Sequence, residues 1–548
     1  MSLRSPLGYA IPPETMRVAQ AAFHKGNAYM TMHAELGMLY TNRQFAALFS
    51  DTGQSALDPA RLALILVFQF LEGLSDRQAA EAVRSRIDWK YALALELTDP
   101  GFDASVLSEF RQRLVAGAAE ESLLTTLLAQ ITERGLIKAR GTQRTDSTHI
   151  LAAVRSLNRL ELLIETMRHA LNRLATVAPG WLRPHIHPDW ADRYSRRAEN
   201  FRLPKAETAR QALASQVGAD GFAVLAIVDA PTTPAVVRDE PAVALLRRIW
   251  WQQFYGPGDP PRLRPSNDAP PSAQMIKSPY DDEARYSIKR DTTWTGYKLH
   301  VTEACDPALP HLVIDVQTPP ATIQDDTMLP IIQRSLRQRG LLPTVHLVDA
   351  GYTNVSNLHA SQSHHAITVV GPVAADPSWQ ACSRGFDHSQ FVIDWDRQIV
   401  TCPEGKQSLK WRAIHDTRPN AVHSVQFSRA DCTPCPRRAS CTQASAAARQ
   451  LTLGSREWYT ITQDARARQQ TPEFKATYAQ RAGVESLIAQ SLRVCQIRRS
   501  RYIGRARTHI QHILMAVAIN LLRLASWWHD PVPTVRSQPP FTQLVAAG

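Results

Sequence analysis

The chain's 548 residues are too many for one compact domain, so roughly three or four cooperating units are expected, and 44% hydrophobic with 20% charged residues excludes a disordered polyelectrolyte. The net charge of +12 suits a polyanionic partner, although basicity alone would equally suit a ribosomal or membrane-surface protein. Seven cysteines with no secretory signal exclude a disulfide scaffold and point to a reducing, cytoplasmic setting, while Gly405-Lys406-Gln407 departs from the pattern of a phosphate-binding P-loop.

Residues 1–138 read as helical. Asp58-Pro59 is an N-cap followed by proline in the first turn, Gly73 closes that helix, and Ser75-x-x-Gln78 is a capping box opening the next. Helix, short turn and helix is the outline of a helix-turn-helix in which Arg77 and Arg84 would meet DNA; two packed helices with solvated arginines fit the segment as well. From Gly135 the pattern changes to a short strand ending at Asp146 and running into a helix. The insertion that follows is helical through Trp250 and Trp251 and closes in the Pro/Gly linker YGPGDPPRLRPSNDAPP. TTWTGYKLHVTEACD and HLVIDVQTPPATI predict two strands, and TVHLVDAGYTN predicts a third ending on Asp349, with Gly351 in the turn. Short strands and cysteines then alternate to about residue 471. TPEFKATYAQRAGVESLIAQSLRV predicts one amphipathic helix, and the closing apolar run, Ile513 to Trp528, carries Asn520 and Arg523, which favours a buried core helix over a membrane span.

Phosphodiester cleavage at a two-metal site needs carboxylates converging from separate elements. Asp146 and Asp349 each end a predicted strand, where side chains can share a crevice. Tyr478, Arg481 and Glu485 stand at i, i+3 and i+7, within about 60° of one another on a helix, so one face offers a phenol, a guanidinium and a carboxylate. A weak Arg–Glu surface pair is the alternative, and among 50 acidic residues some such triple can always be drawn. Cys402, Cys432-x-x-Cys435 and Cys441 can close a tetrahedral structural zinc site, with Cys382 as a substitute ligand; reduced thiols in a metal-free loop are the other reading. Arg498, Arg499, Arg501, Arg505 and Arg507 follow without an acid between them, either as a solvated face or, as favoured beside a helix carrying such a phenol, guanidinium and carboxylate face, as phosphate contacts.

RTDSTH, HLVDAGY and Y-x-x-R-x-x-x-E resemble the three catalytic motifs of bacterial insertion-sequence DDE transposases, specifically the group with a helical N-terminal domain and a Cys-bearing insert. LEGLSDRQAAEAVRSRIDWKYALALELTDPGFDASVLSEFR resembles that group's N-terminal domain, and the likeness runs from residue 20 to residue 528. The resemblance implies an α/β fold with an RNase H-like mixed-sheet core, Mg²⁺ or Mn²⁺ held by Asp146, Asp349 and Glu485, and DNA-phosphate contacts from Tyr478 and Arg481. It also implies terminal inverted repeats and target DNA as partners, a homodimer or higher oligomer on DNA, and no membrane. The expected reaction is cleavage at transposon ends followed by strand transfer; a non-catalytic DNA-binding regulator derived from such an enzyme and a stand-alone RNase H-like nuclease are the alternatives. The units would be a DNA-binding N-terminal domain (1–138), a catalytic core (139–152 with 285–365 and 472–528), a helical insertion with its linker (153–284), a β-rich Cys-containing insertion (366–471) and a tail (529–548). One departure is Leu492, where related enzymes can carry a lysine seven residues after the glutamate; Arg493 lies about 80° round the helix from Glu485.

Overall fold

A computed structural model describes residues 3, 8–50, 52–289, 291–383, 385–414 and 422–529; of the expected tail, residues 530–548 lie outside the described residues. Both N-terminal caps form. Asp58 Oδ1 accepts from the Ala60 and Arg61 N–H groups at 3.0 and 3.2 Å, and Ser75 and Gln78 exchange the two bonds of a capping box. The helix Pro59–Leu71 is buried on nearly every face, unlike the half-solvated helix Asp76–Ser85 beside it. Each of its Ile65, Leu66, Phe68 and Phe70 contributes about 1.5–3 kcal/mol by leaving water.

The central sheet contains β1 (Thr142–Leu151), β2 (Arg285–Lys289), β3 (Thr292–Ala304), β4 (Val313–Gln317), β5 (Val345–Leu347) and β6 (Thr368–Val370). Its order is β4-β3-β1-β5-β6, with β2 paired to the start of β3. β1, β3 and β4 run antiparallel in turn, whereas β5 and β6 run parallel to β1. The strand expected to stop at Asp146 continues to Leu151, because Ser147–Leu151 keep register with His300–Gly296 of β3. Gly296 allows that approach: with φ +155°, a Cβ there would stand 2.2 Å from the Ile150 carbonyl. The next helix begins only at Arg159, capped by Asn158.

One apolar core joins the N-terminal helices, both faces of this sheet and the closing helix Arg505–His529. Glu207–Val228 and Arg505–His529 are long and apolar enough to cross a membrane; Arg505–His529 is largely buried in the protein, whereas Glu207–Val228 lays one face on the core of the insertion. The polar residues of the closing helix explain themselves. Asn520 accepts from the Val313 N–H and donates to the Val313 carbonyl, both at 2.7 Å, pairing the backbone of β4, while Arg523 reaches Gln490 at 2.9 Å and the buried Glu303. The insertion has a separate core around Leu163, Met167, Val217, Trp250 and Phe254. Residues 386–453 carry a third core inside the sheet β9 (Ser408–Ile414), β10 (Val422–Phe427), β11 (Gln450–Leu453) and the hairpin β7 (Val392–Asp394), β8 (Ile399–Thr401).

Candidate active site

Asp146 sits in the middle of β1 with a side chain 12% exposed. It accepts from Arg481 Nη2 and from the Ser147 N–H, each at 2.7 Å. Burial raises its pKa and the nearby Asp349 charge adds to the rise, against the lowering pull of Arg481 and the Ser147 N–H. Asp349 lies two residues beyond β5, half-buried, and accepts from the Gly351 N–H at 2.8 Å. A Cβ at residue 351 would press on both carboxylates, standing 3.0 Å from Asp349 Oδ1 and 3.3 Å from Asp325 Oδ2.

Glu485 comes from a helix rather than from the sheet. The single amphipathic helix expected over residues 471–494 is broken: Pro472–Ala479 gives way to a 3₁₀ turn, Gln480–Ala482, before Gly483–Cys495 resumes. The cause comes from β1, where Arg144 Nη1 donates to the Gln480 carbonyl at 2.7 Å and its guanidinium fills the space a Cβ of residue 483 would need. Arg144 is itself held by the buried Glu303, which also binds Arg523. The break leaves Arg481 between two carboxylates, 2.7 Å from Asp146 and 3.6 Å from Glu485, whose side chain is 70% exposed. Arg481 Nε is buried without a hydrogen-bond partner. Tyr478 stacks on Phe474, and its pKa is raised by burial and, among nearby charges, by Asp349, Asp146 and Glu485.

The structure thus gathers Asp146, Asp349, Arg481, Tyr478 and Glu485 into one region. Among the described residues, no three His, Cys, Asp or Glu side chains are close enough to hold an ion in this arrangement. The expectation missed Asp325, in the first turn of helix Asp325–Gln338, which takes a hydrogen bond from Lys298 Nζ at 2.8 Å and from Ser147 Oγ at 3.1 Å. Burial would raise its pKa, but the Lys298 bond and charge outweigh burial and hold it low. In the sequence, QDDTM looks like ordinary first-turn acids, and nothing local marks the first of them. Beneath the site, Tyr352 Oη lies 2.6 Å from His300 Nδ1, with burial pushing the imidazole down to about 3.

The basic segment divides. Arg498 donates to Thr148 and His149 of β1, and Arg501 donates to the Leu74 carbonyl while lying over Phe70; both have intramolecular roles. Arg505 pairs with Glu283, and Arg499 and Arg507 are exposed. In the N-terminal region Arg77 is exposed, and Arg84 pairs with Glu81 and donates to the Pro100 carbonyl. Cys402, Cys432, Cys435 and Cys441 line one cavity with Phe386, Phe427 and Arg449, and the Lys406 N–H donates to Cys402 Sγ at 3.3 Å. Burial raises the Cys441 thiol, and the three other thiols raise it further. Cys382 is exposed and is not part of that cavity's wall.

Two family models match: Transposase domain (DUF772) over residues 19–113 and Transposase DDE domain over residues 401–525. These two matches support an insertion-sequence DDE transposase. The DDE-domain match takes in the four clustered cysteines, Tyr478, Arg481 and Glu485, while Asp146 and Asp349 lie outside both matched segments. No curated protein and no solved structure matches the chain.

Proposed function

We propose that this transposase cleaves DNA at the ends of its element and joins the released 3′-OH to target DNA, with Asp146, Asp349 and Glu485 as its catalytic carboxylates. The observation that carries the reading is Arg481: its guanidinium lies against Asp146 and Glu485, and its buried Nε–H has no acceptor, so a phosphate oxygen would complete it. The strand order supports an RNase H-like core, with β1, β3 and β4 antiparallel in turn, β5 and β6 parallel to β1, Asp146 on β1 and Asp349 just past β5. The donor set is all hard oxygen, the chemistry that Mg²⁺ or Mn²⁺ selects, and binding an ion would have to draw the three carboxylates closer together. Bound divalent ions would stabilise charge on the leaving oxygen and lower the pKa of an attacking water. Arg481 and Tyr478 orient the scissile phosphate, and the Lys298–Asp325 pair fixes the floor beneath Asp349. Four thiols on one cavity wall are the donor chemistry of a structural zinc, chemically distinct from the carboxylate site. The partners would be terminal inverted repeats and target DNA, with the helical N-terminal region and exposed Arg77, Arg499 and Arg507 as further contacts, in an oligomer acting at the nucleoid of a bacterial cytoplasm.

The test is incubation of the purified chain with labelled DNA carrying an element end, in Mg²⁺. Cut ends bearing 3′-OH and joined products are expected. Binding without cleavage would replace this reading with a regulator, and cleavage without joining would replace it with a nuclease.

A further inference from the structure

The helical insertion contains an open cleft of about 800 Å³, well inside the range of ligand sites, and the carboxylate chemistry makes no use of it. Its walls are the first turns of two long helices, Arg159–Val177 and Glu207–Val228, and the segment Pro260–Pro265. The floor is apolar, from Leu160, Leu163, Ala214 and Leu263, and the rim carries Arg159, Arg210, Arg262 and Arg264 against one carboxylate, Glu207. Among the described residues Arg264 pairs with Asp268, whereas Arg159, Arg210 and Arg262 form no salt bridge; Arg159 donates to the neutral Gln253, and Arg210 to Asn200 and the Pro204 carbonyl. Burial lowers the nearby Lys277, and the Arg159 charge lowers it further, as a positive local field requires. The positive ends of both helix dipoles add to that field. Beside the cleft, the exposed Tyr255 ring carries the Arg262 and Arg264 guanidinia at 5.3 and 4.6 Å.

An apolar floor under a rim with three arginines outside any salt bridge suits a flat base attached to phosphate. We infer that this cleft binds a nucleotide unit of single-stranded DNA, a strand unpaired near the element end. The inference rests on the DNA-processing reading but concerns binding alone, so it can be measured without metal.

The experiment uses the full chain in chelator and fluorescence anisotropy with a labelled oligodeoxythymidylate of about 20 nucleotides and with a duplex of equal length. Arg210→Ala with Arg262→Ala should weaken single-strand binding about tenfold and flatten the log K against log[salt] slope by about 1.4, or about 0.7 per lost contact. The matching pair of lysine substitutions should restore most of the affinity. Ser215→Trp, which fills the cleft with its charges intact, should also weaken single-strand binding and leave duplex binding unchanged. The proposal is overturned if Ser215→Trp binds as wild type, if duplex and single strand lose affinity equally, or if a free deoxynucleoside monophosphate binds as tightly as the oligonucleotide. A chain that binds as described yet never cuts DNA would sink the transposition reading and leave this one standing.

Discussion

Gly483→Ala separates two physical expectations of opposite sign. On helix propensity alone, alanine at the start of helix Gly483–Cys495 should stabilise by about 1 kcal/mol. In the structure, however, the new Cβ would stand 2.0 Å from Arg144 Nη1, 2.3 Å from its Cζ and 2.5 Å from its Nη2, so the guanidinium must retreat by more than an ångström. Retreat loosens its bond to the Gln480 carbonyl and its pair with Glu303, a carboxylate with no exposed surface. Removing one partner from a buried pair costs about 3–5 kcal/mol, so the net loss should be about 2–4 kcal/mol. Urea unfolding followed by circular dichroism should show this as a lower midpoint, and DNA cleavage should fall with it, since Arg481 belongs to the same turn. In an Arg144→Met background the same substitution should become neutral or slightly stabilising, a coupling of about 3 kcal/mol. A Gly483→Ala protein as stable as wild type, or more so, would refute the claim that Arg144 sets this break.

Asp325→Asn should abolish cleavage and leave Lys298 buried without its counter-charge; adding Lys298→Met should recover the stability, read by thermal melt, but not the cleavage, and recovery of both would reduce Asp325 to a structural role. Asp315 is fully buried, with burial raising its pKa to about 6 against Arg339, Ser335 and Gln317. Because the folded protein binds this proton more tightly than the unfolded chain, stability contributed here is present at low pH and lost as pH rises through about 6; Asp315→Asn should remove that slope, and an unchanged profile would contradict the assignment. Elemental analysis of protein purified without chelator should find about one zinc, lost in Cys432→Ser together with protease resistance in residues 400–445; a metal-free wild type equally resistant would show the thiols hold no ion.

Features set by neighbours in sequence were legible there. The Asp58-Pro59 cap, the Ser75/Gln78 box and the compact strand before Asp349 depend on a few adjacent residues, and each forms. What stayed hidden is set by distant partners. The polar stretch Thr145–His149 carries little strand signal, and it becomes strand because β3, some 150 residues later, offers matching register. Tyr478, Arg481 and Glu485 keep periodic helical spacing, yet a guanidinium 336 residues earlier in the chain breaks their helix. Asp325 looks like any first-turn acid until the fold sets Lys298, Ser147 and Asp349 around it. The arginines after Cys495 look uniformly available, but Arg498 and Arg501 are tied to β1 and to Leu74, a division only the tertiary structure makes.

The measurement that bears most directly on the central claim pairs DNA binding with cleavage in Asp146→Asn and Asp349→Asn. An amide keeps the shape of each side chain but cannot supply the charge a hard cation needs. Both variants should bind element-end DNA with wild-type affinity and cut none of it in Mg²⁺ or Mn²⁺. Cleavage at the wild-type rate by either one would contradict the assignment of these carboxylates to catalysis.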